Sequence, residues 1–454
     1  MRLMESLATT PQLAELFSDE SVLKAMLQFE TALARAEAGL SIVPSAAADA
    51  IANAAQTGSF DVAALAQAAL RAGTLGVPLV KALTEQVRAR DAGAAGYVHW
   101  GATSQDVVDT AMVLILKRAR PFLVNDLTRL ENALVGISER HAHTVMLGRT
   151  LLQPAPPVTF GLKAAGWLGA IHRGRHRLEA AFEHTLIVQF GGAAGTLAAL
   201  GDRGPAVGRL LAEELGLGCP EAPWHTHRDR LAELVCACGI LTGSLGKMAR
   251  DISLLAQGEI VEVAEPTGPG RGGSSTMPQK QNPIGCVVTL AAANRVQGLV
   301  AGFLSAMGQE HERSAGGWQS EWPTLAAVIQ TTGVALASMA EVAEGLKVDE
   351  KRMRTNLEAA RGAVFSEKAM MLLGRALGRD VARKLVEDAT RKSTEQGRRL
   401  EEVLSEMPEV TCHLDPATLG QLEDPEKYLG AAETFRTNLL SSAESEGSRG
   451  KKKE

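Results

Sequence analysis

Residues 123–137 read LVNDLTRLENALVGI, and the apolar residues of this stretch recur at alternating spacings of four and three. The recurring positions are Leu123, Leu127, Leu130, Leu134 and Ile137. The same rhythm returns between residues 228 and 258, at Leu234, Cys238, Leu241, Leu245, Met248, Ile252 and Leu255. This alternation places the side chains on one stripe of a helix, like the seam of a coiled coil. It therefore predicts long helices that pack at shallow angles.

Strand signals are almost absent from the rest of the chain, so the sequence predicts an all-α fold around a central bundle of long helices. Those helices are predicted at 106–141, 157–186, 228–258, 284–308 and 321–346. The chain exceeds the roughly 250–300 residues that one core supports, so more than one domain is expected. We predict an N-terminal helical domain (1–105), a central long-helix domain (106–354), a C-terminal helical domain (355–440) and a disordered tail (441–454).

The overall composition narrows the class of partner. A net charge of -5 and a pI near 6.1 argue against nucleic-acid and membrane-surface partners. The N-terminus lacks the apolar core of a signal peptide, and we expect no apolar run of the ~20 residues that a bilayer requires. The five cysteines are odd in number and thinly spread, which favours a reduced cytoplasm over a disulfide framework. We expect a cytoplasmic protein.

Helices of this length leave apolar surface uncovered in a single chain. Each predicted rod is longer than a small domain is wide, at ~1.5 Å per residue. Subunits that share a helical bundle would cover that surface, so a homo-oligomer is expected.

A second stretch, 268–283, reads GPGRGGSSTMPQKQNP and combines glycines with hydrogen-bonding side chains. Its first residues satisfy G-x-G-x-x-G, but no strand precedes them, and no Gly-Lys-Ser/Thr closes a phosphate loop. Ser274, Ser275, Lys280 and Asn282 could together bind a carboxylate and stabilise negative charge that develops on it. On the residues alone, this stretch is either a lid over an anion site or a solvated linker.

The end of that stretch, GSSTMPQKQNP, resembles the signature of the fumarase/aspartase superfamily, G-S-S-x-M-P-x-K-x-N-P. Residues 99–106 (HWGATSQD) resemble the first conserved region of that superfamily, and residues 148–155 (GRTLLQPA) resemble the second. The resemblance covers essentially the whole chain. It implies a fumarase/aspartase-like fold with two smaller helical domains flanking the bundle. It also implies a homotetramer in which three subunits build each active site.

The resemblance implies that Ser274 exchanges a proton with the carbon next to a substrate carboxylate. Lys280 and Asn282 would steady the aci-carboxylate that forms when this carbon carries negative charge, and Lys280 is an alternative proton donor. The predicted substrate-binding residues are His99, Thr103, Ser104, Gln105, Arg149, Thr150, Gln153, Ser275, Asn282 and Arg313. No metal or cofactor is implied.

Several of these residues have a structural alternative. Thr103 and Ser104 could serve as a helix N-cap, which is itself compatible with an anion site. His99 could cap a helix. Arg149 and Arg313, expected as extra cations for a substrate rich in carboxylates, could form ordinary ion pairs.

Two departures from the superfamily pattern narrow the reaction. Most of these lyases carry a histidine after the Arg-Thr of the second region and a glutamate five residues after the signature asparagine. Here those positions are Leu151 and Val287. A reaction that needs no second acid–base pair is one whose nucleophile is already ionised, such as a substrate carboxylate that attacks its own double bond and forms a lactone.

The sequence thus favours the lactone-forming branch of the superfamily, with a small tricarboxylate as substrate. Further stretches resemble that branch, namely FETALARAEAGL, VQFGGAAGTLAALG, PWHTHRDR, MARDISLLAQ, QEHERS and WQSEW. One alternative is adenylosuccinate lyase or another fumarate-releasing lyase, which would need the missing acid–base pair. Another is a non-catalytic helical scaffold.

Overall fold

The structure is a computed structural model that describes residues 3–268, 270–273, 276–277 and 280–450. The first helices are α1 (Pro11–Leu16), α2 (Asp19–Gly39), α3 (Ser45–Thr57), α4 (Val62–Ala72), α5 (Gly76–Arg88) and α6 (Ser104–Arg140). The middle elements are β1 (Val145–Thr150), β2 (Gln153–Thr159), α7 (Phe160–Thr185), α8 (Gly204–Leu215), α9 (Asp229–Leu255), β3 (Val263–Ala264), α10 (Ile284–Ser305), α11 (Gly317–Glu344) and β4 (Lys347–Val348). The last helices are α12 (Glu350–Glu358), α13 (Ser366–Leu377), α14 (Arg379–Gln396), α15 (Leu400–Ser405), α16 (Pro408–Thr411), α17 (Pro416–Leu419) and α18 (Ala432–Gly450). The all-α prediction is confirmed.

All five predicted long helices are present, as α6, α7, α9, α10 and α11. The apolar seam of α6 is buried, since Leu123, Leu127, Leu130 and Leu134 are all 0% exposed. The seam of α9 is buried too, at Leu234, Cys238, Leu241, Leu245, Met248, Ile252 and Leu255. The four-and-three spacing therefore identified the inward face of both helices.

The chain divides into two compact units, and each unit is built from three segments. Unit 1 comprises the residues up to Thr128, Arg173–Gly246 and Val288–Ser338. Unit 2 comprises Arg129–His172, Lys247–Val287 and the chain from Met339 onwards. All five long helices contribute residues to both units. The predicted domain boundaries at 105, 354 and 440 stay a prediction.

Each unit has its own apolar core. In unit 1 the core is gathered on α2, α3, α5 and the start of α6, and includes Phe29, Leu33, Ile51 and Leu83. In unit 2 it is gathered on α13, α14 and α15, and includes Leu373, Val386, Leu400 and Leu404.

A β-hairpin interrupts the helical pattern in unit 2. Strands β1 and β2 pair antiparallel, and Thr150 faces Gln153 across a two-residue turn. Both turn residues, Leu151 and Leu152, have positive φ, at 49° and 65°. This conformation normally selects Asn-Gly, so two leucines are strained there. They are 97% and 72% exposed.

The sequence analysis expected no apolar run long enough to cross a bilayer. That expectation is wrong, judged by the length and composition of the helices. Helices α9, α10 and α11 are each long and apolar enough. Their most apolar windows are 61%, 33% and 67% buried within the chain, respectively. Packing within the chain explains the apolar character of α9 and α11, whereas only about a third of the α10 window is buried.

The prediction of a disordered tail from residue 441 is wrong as far as Gly450, because α18 extends to that residue. Polar, repetitive composition does not prevent helix formation where proline is absent and a preceding turn has already nucleated the helix. Arg436 supplies such a first-turn contact by pairing with Glu433 at 2.6 Å.

A buried charge cluster ties three helices together within unit 1. Arg228, directly before α9, is 2% exposed. Its guanidinium donates to Asp109 of α6 at 2.8 and 3.0 Å and to Glu321 of α11 at 2.7 Å. Trp318 Nε1 also donates to Asp109, at 2.8 Å. Burial by itself would lower the pKa of Arg228, but the two carboxylates outweigh it and raise that pKa.

We predict that Arg228→Leu strongly destabilises the protein. The substitution leaves Asp109 and Glu321 buried without their cation, and breaking such a pair costs about 3–5 kcal/mol. Urea unfolding measures the loss. Arg230→Leu is the matched control, because Arg230 pairs at 3.3 Å with Glu221, whose side chain is 91% exposed. Exposed pairs contribute less than about 1 kcal/mol. Equal losses in the two variants would contradict the assignment.

Candidate active site

The first group of predicted residues lies in unit 1, on the loop that enters α6. The helix begins at Ser104, so Thr103 occupies the N-cap position. The Thr103 N–H donates to Asp106 Oδ2 at 3.0 Å, and the Asp106 N–H donates back to the Thr103 carbonyl at 3.0 Å. The N-cap alternative for Thr103 thus holds at the level of the backbone, and it leaves the anion-site prediction open.

The side chain of Asp106 holds this loop in place. It is 0% exposed and accepts hydrogen bonds from four donors. Besides Thr103, these are the N–H groups of Gly191 and Gly192, each at 3.0 Å, and Nε2 of His225 at 2.6 Å. One carboxylate therefore joins the loop before α6, the glycine-rich segment at 191–195 and the segment before α9. Asp106 and His225 were not among the predicted site residues.

The hydroxyl groups at the start of α6 remain available for a ligand. Within the described chain, neither the Thr103 nor the Ser104 hydroxyl bonds to a protein group, and both residues are half-buried. Gln105 is more committed, because its Nε2 donates to Asp109 at 3.1 Å and to the His225 carbonyl at 2.7 Å. Its Oε1 is buried with no partner among the described residues. Its substrate-binding role stays a prediction.

His99 and Arg313 lie in the same unit as that loop. Nδ1 of His99 is 2.7 Å from Oε1 of Glu30, so His99 contacts a carboxylate rather than capping a helix. Arg313 Nη2 donates to the carbonyls of Gly192 and Ala193, the latter at 3.0 Å. Among the described residues it forms no ion pair with a carboxylate, so the ion-pair alternative is not found for Arg313. Burial lowers its pKa against the opposing charge of Asp106.

The second group lies in unit 2, on the β1–β2 hairpin. Thr150 and Gln153 are exposed and flank the strained turn. Arg149 donates to both carboxylate oxygens of Glu262, at 2.9 and 2.6 Å. Glu262 is fully buried and also accepts from Asn356 at 2.8 Å. The ion-pair alternative therefore describes Arg149 here, and its substrate contact stays a prediction.

The signature stretch also belongs to unit 2. Ser274 and Ser275 lie outside the described residues. Lys280 is exposed, and its backbone N–H donates to the Met277 carbonyl at 3.1 Å. Asn282 bonds the Gly272 carbonyl twice, through its backbone N–H at 2.9 Å and its side-chain Nδ2 at 3.1 Å. Asn282 thus fixes the base of the loop.

Two residues that the sequence analysis did not identify, Glu265 and Arg271, hold the signature stretch to the start of α10. Glu265 accepts from the N–H groups of Gly285 and Cys286, at 3.0 and 2.8 Å, and so caps α10. It also pairs with Arg271 at 3.4 Å, and Arg271 pairs in addition with Glu341. The only available signal was a lone acidic residue just before the glycines, because the two N–H groups that it caps lie 20 and 21 residues away.

The positions of the missing acid–base pair carry exposed apolar side chains. Leu151 at the hairpin tip is 97% exposed, and Val287 in the first turn of α10 is 51% exposed.

Two family models match the chain. Residues 4–298 match the family described as lyase, and residues 362–438 match the family described as adenylosuccinate lyase C-terminus.

Individual proteins match over nearly the full length. A 3-carboxy-cis,cis-muconate cycloisomerase of Bradyrhizobium diazoefficiens is 47% identical, over 97% of this chain and 99% of the relative. A nitrosuccinate lyase of Streptomyces davaonensis is 44% identical, over 91% of this chain and 89% of the relative. The crystal structure of 3-carboxy-cis,cis-muconate lactonizing enzyme from Pseudomonas putida matches with a TM-score of 0.91 at 44% identity, over 98% of this chain and 99% of that chain.

We predict that Asp106→Asn destabilises the loop before α6. The carboxylate has two acceptor oxygens and a negative charge. The amide of asparagine has one acceptor oxygen and no charge, so every one of the four hydrogen bonds is lost or weakened. Hydrogen bonds to charged groups contribute roughly 1.5–3 kcal/mol each, so we expect a loss of about 3 kcal/mol or more in urea unfolding. Asp202→Asn, at an exposed aspartate, is the control. An Asp106→Asn variant as stable as that control would show that other contacts hold the three segments.

Proposed function

The chain belongs to the fumarase/aspartase superfamily of lyases, and we propose that it is a cycloisomerase that closes 3-carboxy-cis,cis-muconate to 4-carboxymuconolactone. The observation that carries the choice of reaction is the pair Leu151 and Val287. Both positions are apolar, so neither can supply the second acid or base that a fumarate-releasing lyase uses on its leaving group. The chain is also similar over nearly its full length to cycloisomerases. This similarity supports a catalytic function over the non-catalytic scaffold.

The reaction needs a single proton delivered to carbon. One carboxylate oxygen of the substrate attacks its own conjugated double bond and forms the C–O bond of the lactone. The displaced π electrons collect on the neighbouring carboxylate as an aci-carboxylate, and a proton then quenches the adjacent carbon. The attacking oxygen is already ionised and tethered, which supplies effective molarity without a base. Atoms balance, because the reaction is an isomerisation.

In this proposal Ser274 donates the proton, with Lys280 as the alternative donor. Lys280 is exposed and can approach a bound anion, whereas Asn282 is already bonded to Gly272 through its side chain. A positive charge placed where negative charge develops stabilises the transition state.

The substrate carries three carboxylates, and unit 1 offers donors suited to them. The hydroxyls of Thr103 and Ser104, which bond to no protein group in the described chain, lie at the N-terminus of the 37-residue helix α6. A helix N-terminus favours an anion through its free N–H groups and its dipole. Arg313, which pairs with no carboxylate in the described chain, adds a charged donor. Arg149 would contribute less positive charge to substrate binding than Arg313, because Glu262 neutralises the Arg149 guanidinium.

We further propose that the protein is a cytoplasmic homotetramer whose subunits share the long-helix bundle and jointly build each active site. Support comes from apolar side chains that the single chain leaves in solvent. They include Ile240 of α9 at 51% exposed and Val287 and Leu304 of α10 at 51% and 43%. Covering such a surface is favourable by roughly 25 cal/mol per Å².

Light scattering after size-exclusion chromatography tests the assembly. We expect a mass four times the 47.9 kDa of the chain. Ile240→Glu combined with Leu304→Glu should lower that mass and abolish turnover, because charges would be buried in the bundle. Leu70→Glu is the control at a 79% exposed leucine of α4, and should keep the wild-type mass. A monomer of wild-type activity would contradict the proposal.

Turnover of 3-carboxy-cis,cis-muconate tests the function. We expect loss of the conjugated-diene absorbance and formation of the lactone, identified by mass and NMR. If the protein does not turn over the muconate but acts on adenylosuccinate or nitrosuccinate, the proposed reaction is wrong and that lyase reaction takes its place. If it acts on none of the three substrates, the non-catalytic scaffold is favoured.

Ser274→Ala tests the proton donor. General-acid catalysis contributes roughly 100- to 10,000-fold, so we expect kcat to fall by that factor. The thermal transition and the oligomeric mass should not change. A near-normal rate in Ser274→Ala, with a large loss in Lys280→Met, would move the proton-donating role to Lys280.

A further inference from the structure

Helix α2 carries two buried glutamates on one face, in the stretch FETALARAEAGL. Glu30 and Glu37 are seven residues apart, about two helical turns, and are 1% and 0% exposed. Burying a carboxyl group is costly unless it is paired or neutralised, so each glutamate needs a physical explanation.

The two glutamates are accommodated differently. Neither carboxyl oxygen of Glu37 has a hydrogen-bond partner among the described residues. Burial, and then the charge of Glu30, raise the pKa of Glu37 to about 8, so this carboxyl group is mostly protonated at neutral pH. Glu30 instead contacts Nδ1 of His99 at 2.7 Å through Oε1. Its Oε2 has no partner in the described chain.

The charges of two carboxylates act on His99. Burial by itself would lower its pKa, but the charge and hydrogen bond of Glu30, together with the charge of Asp106, outweigh burial and raise the pKa above its usual value. Asp106 is shared with His225, at 2.6 Å, and its field also reaches Arg313. Among the residues that the structure describes, Glu30 is therefore the one carboxylate bonded to the His99 ring itself.

The backbone of His99 indicates that the ring is held in a fixed place. Its φ is 60°, in the left-handed region that few residues other than glycine adopt. Such conformations persist where the surrounding contacts determine them, and they concentrate at functional sites. The ring is mostly covered, with the His99 side chain 15% and the Glu30 side chain 0% exposed.

A carboxylate can only accept, so the bond to Glu30 fixes the Nδ1–H of His99 and leaves Nε2 as the other ring position. No described protein group bonds to Nε2. A histidine whose Nδ1–H is held by a buried carboxylate keeps a defined orientation and presents Nε2 to a ligand.

We propose that Glu30 is a positioning residue that holds His99 as an imidazolium, so that its Nε2–H binds one carboxylate of the substrate. The inference rests on the proposed function, because it assigns the ligand of His99 as a carboxylate of the muconate. Glu30 itself touches no substrate. Its role is to keep a positive charge at a half-buried position where the ring alone would be neutral.

Glu30→Gln tests this role, because glutamine keeps the shape and the acceptor oxygen but removes the charge. In the wild type, KM should rise as pH increases through the raised pKa of His99, since the imidazolium is lost. In Glu30→Gln that rise should move to lower pH, and KM near neutral pH should increase roughly ten- to hundredfold, the worth of a charge-assisted hydrogen bond. The change in kcat should be smaller.

Glu37→Gln is the matched control on the same helix. It replaces an equally buried carboxyl group that is mostly protonated and bonds to no histidine, so KM and its pH dependence at neutral pH should stay at the wild-type values. A similar change of the KM profile in both variants would show that damage to α2, and not the His99 contact, is responsible.

A double-mutant cycle with His99→Asn separates positioning from packing. Asparagine tolerates the left-handed backbone better than other non-glycine residues, so this substitution preserves the loop. In the His99→Asn background, Glu30→Gln should not raise KM further. An additional tenfold rise there would mean that Glu30 acts without His99, and would overturn the proposal.

NMR titration of ¹³C-labelled histidine measures the pair without substrate, with the His99 signal identified by its loss in His99→Asn. Its midpoint should fall in Glu30→Gln and stay unchanged in Glu37→Gln. If the wild type does not turn over the muconate, the proposed function fails while this titration still decides the coupling. An unchanged midpoint, or a lowered midpoint with an unchanged KM profile, overturns the positioning role. Should Glu30→Gln not fold, Glu30→Asp, which withdraws the charge from the ring, must lower the midpoint partway.

Discussion

The candidate site of unit 1 depends on the carboxylate of Asp106, which is buried from solvent and satisfied by four donors. A carboxylate in that environment is stable only while all of its partners stay in place, because the cost of an unpaired buried charge is far larger than the gain from any single bond. The four donors come from three separate segments of the chain, at Thr103, at the adjacent Gly191 and Gly192, and at His225. The loop before α6, the glycine-rich segment at 191–195 and the approach to α9 therefore keep one mutual arrangement. The fixed position of Thr103 and Ser104, the predicted anion-binding residues, follows from it.

The sequence predicted the long helices because their signal is local. The seam at Leu123, Leu127 and Leu130 repeats within a few residues, and the burial of those side chains needs no knowledge of distant partners. The β1–β2 hairpin gave no such signal, since β2 contains three prolines and two leucines occupy its turn. Composition alone predicts disorder for residues 441–450, but composition does not determine conformation, and α18 continues through them.

The candidate site was predictable only where a motif named it. His99, Thr103 and Lys280 were found through the conserved regions they resemble. The residues that support them were not found, because their partners are remote in sequence. Asp106 meets His225 across 119 residues, and Glu30 meets His99 across 69. Glu262 is another remote partner, because it pairs with Arg149 and neutralises the charge that the sequence assigned to substrate binding.

Glycine and dense hydrogen bonding coexist at 268–283 because they serve different parts of the same loop. Gly272 has a φ of 69°, and a Cβ there would approach the Asn282 carbonyl oxygen to 2.8 Å. Only glycine lets the chain pass close enough for Asn282 to bond the Gly272 carbonyl twice. Arg271 and Glu265 then fasten that crossing to α10. Glycine at position 272 is thus needed for the base of the loop to be fixed, and this base lies two residues from Lys280, the cation predicted to act on the substrate.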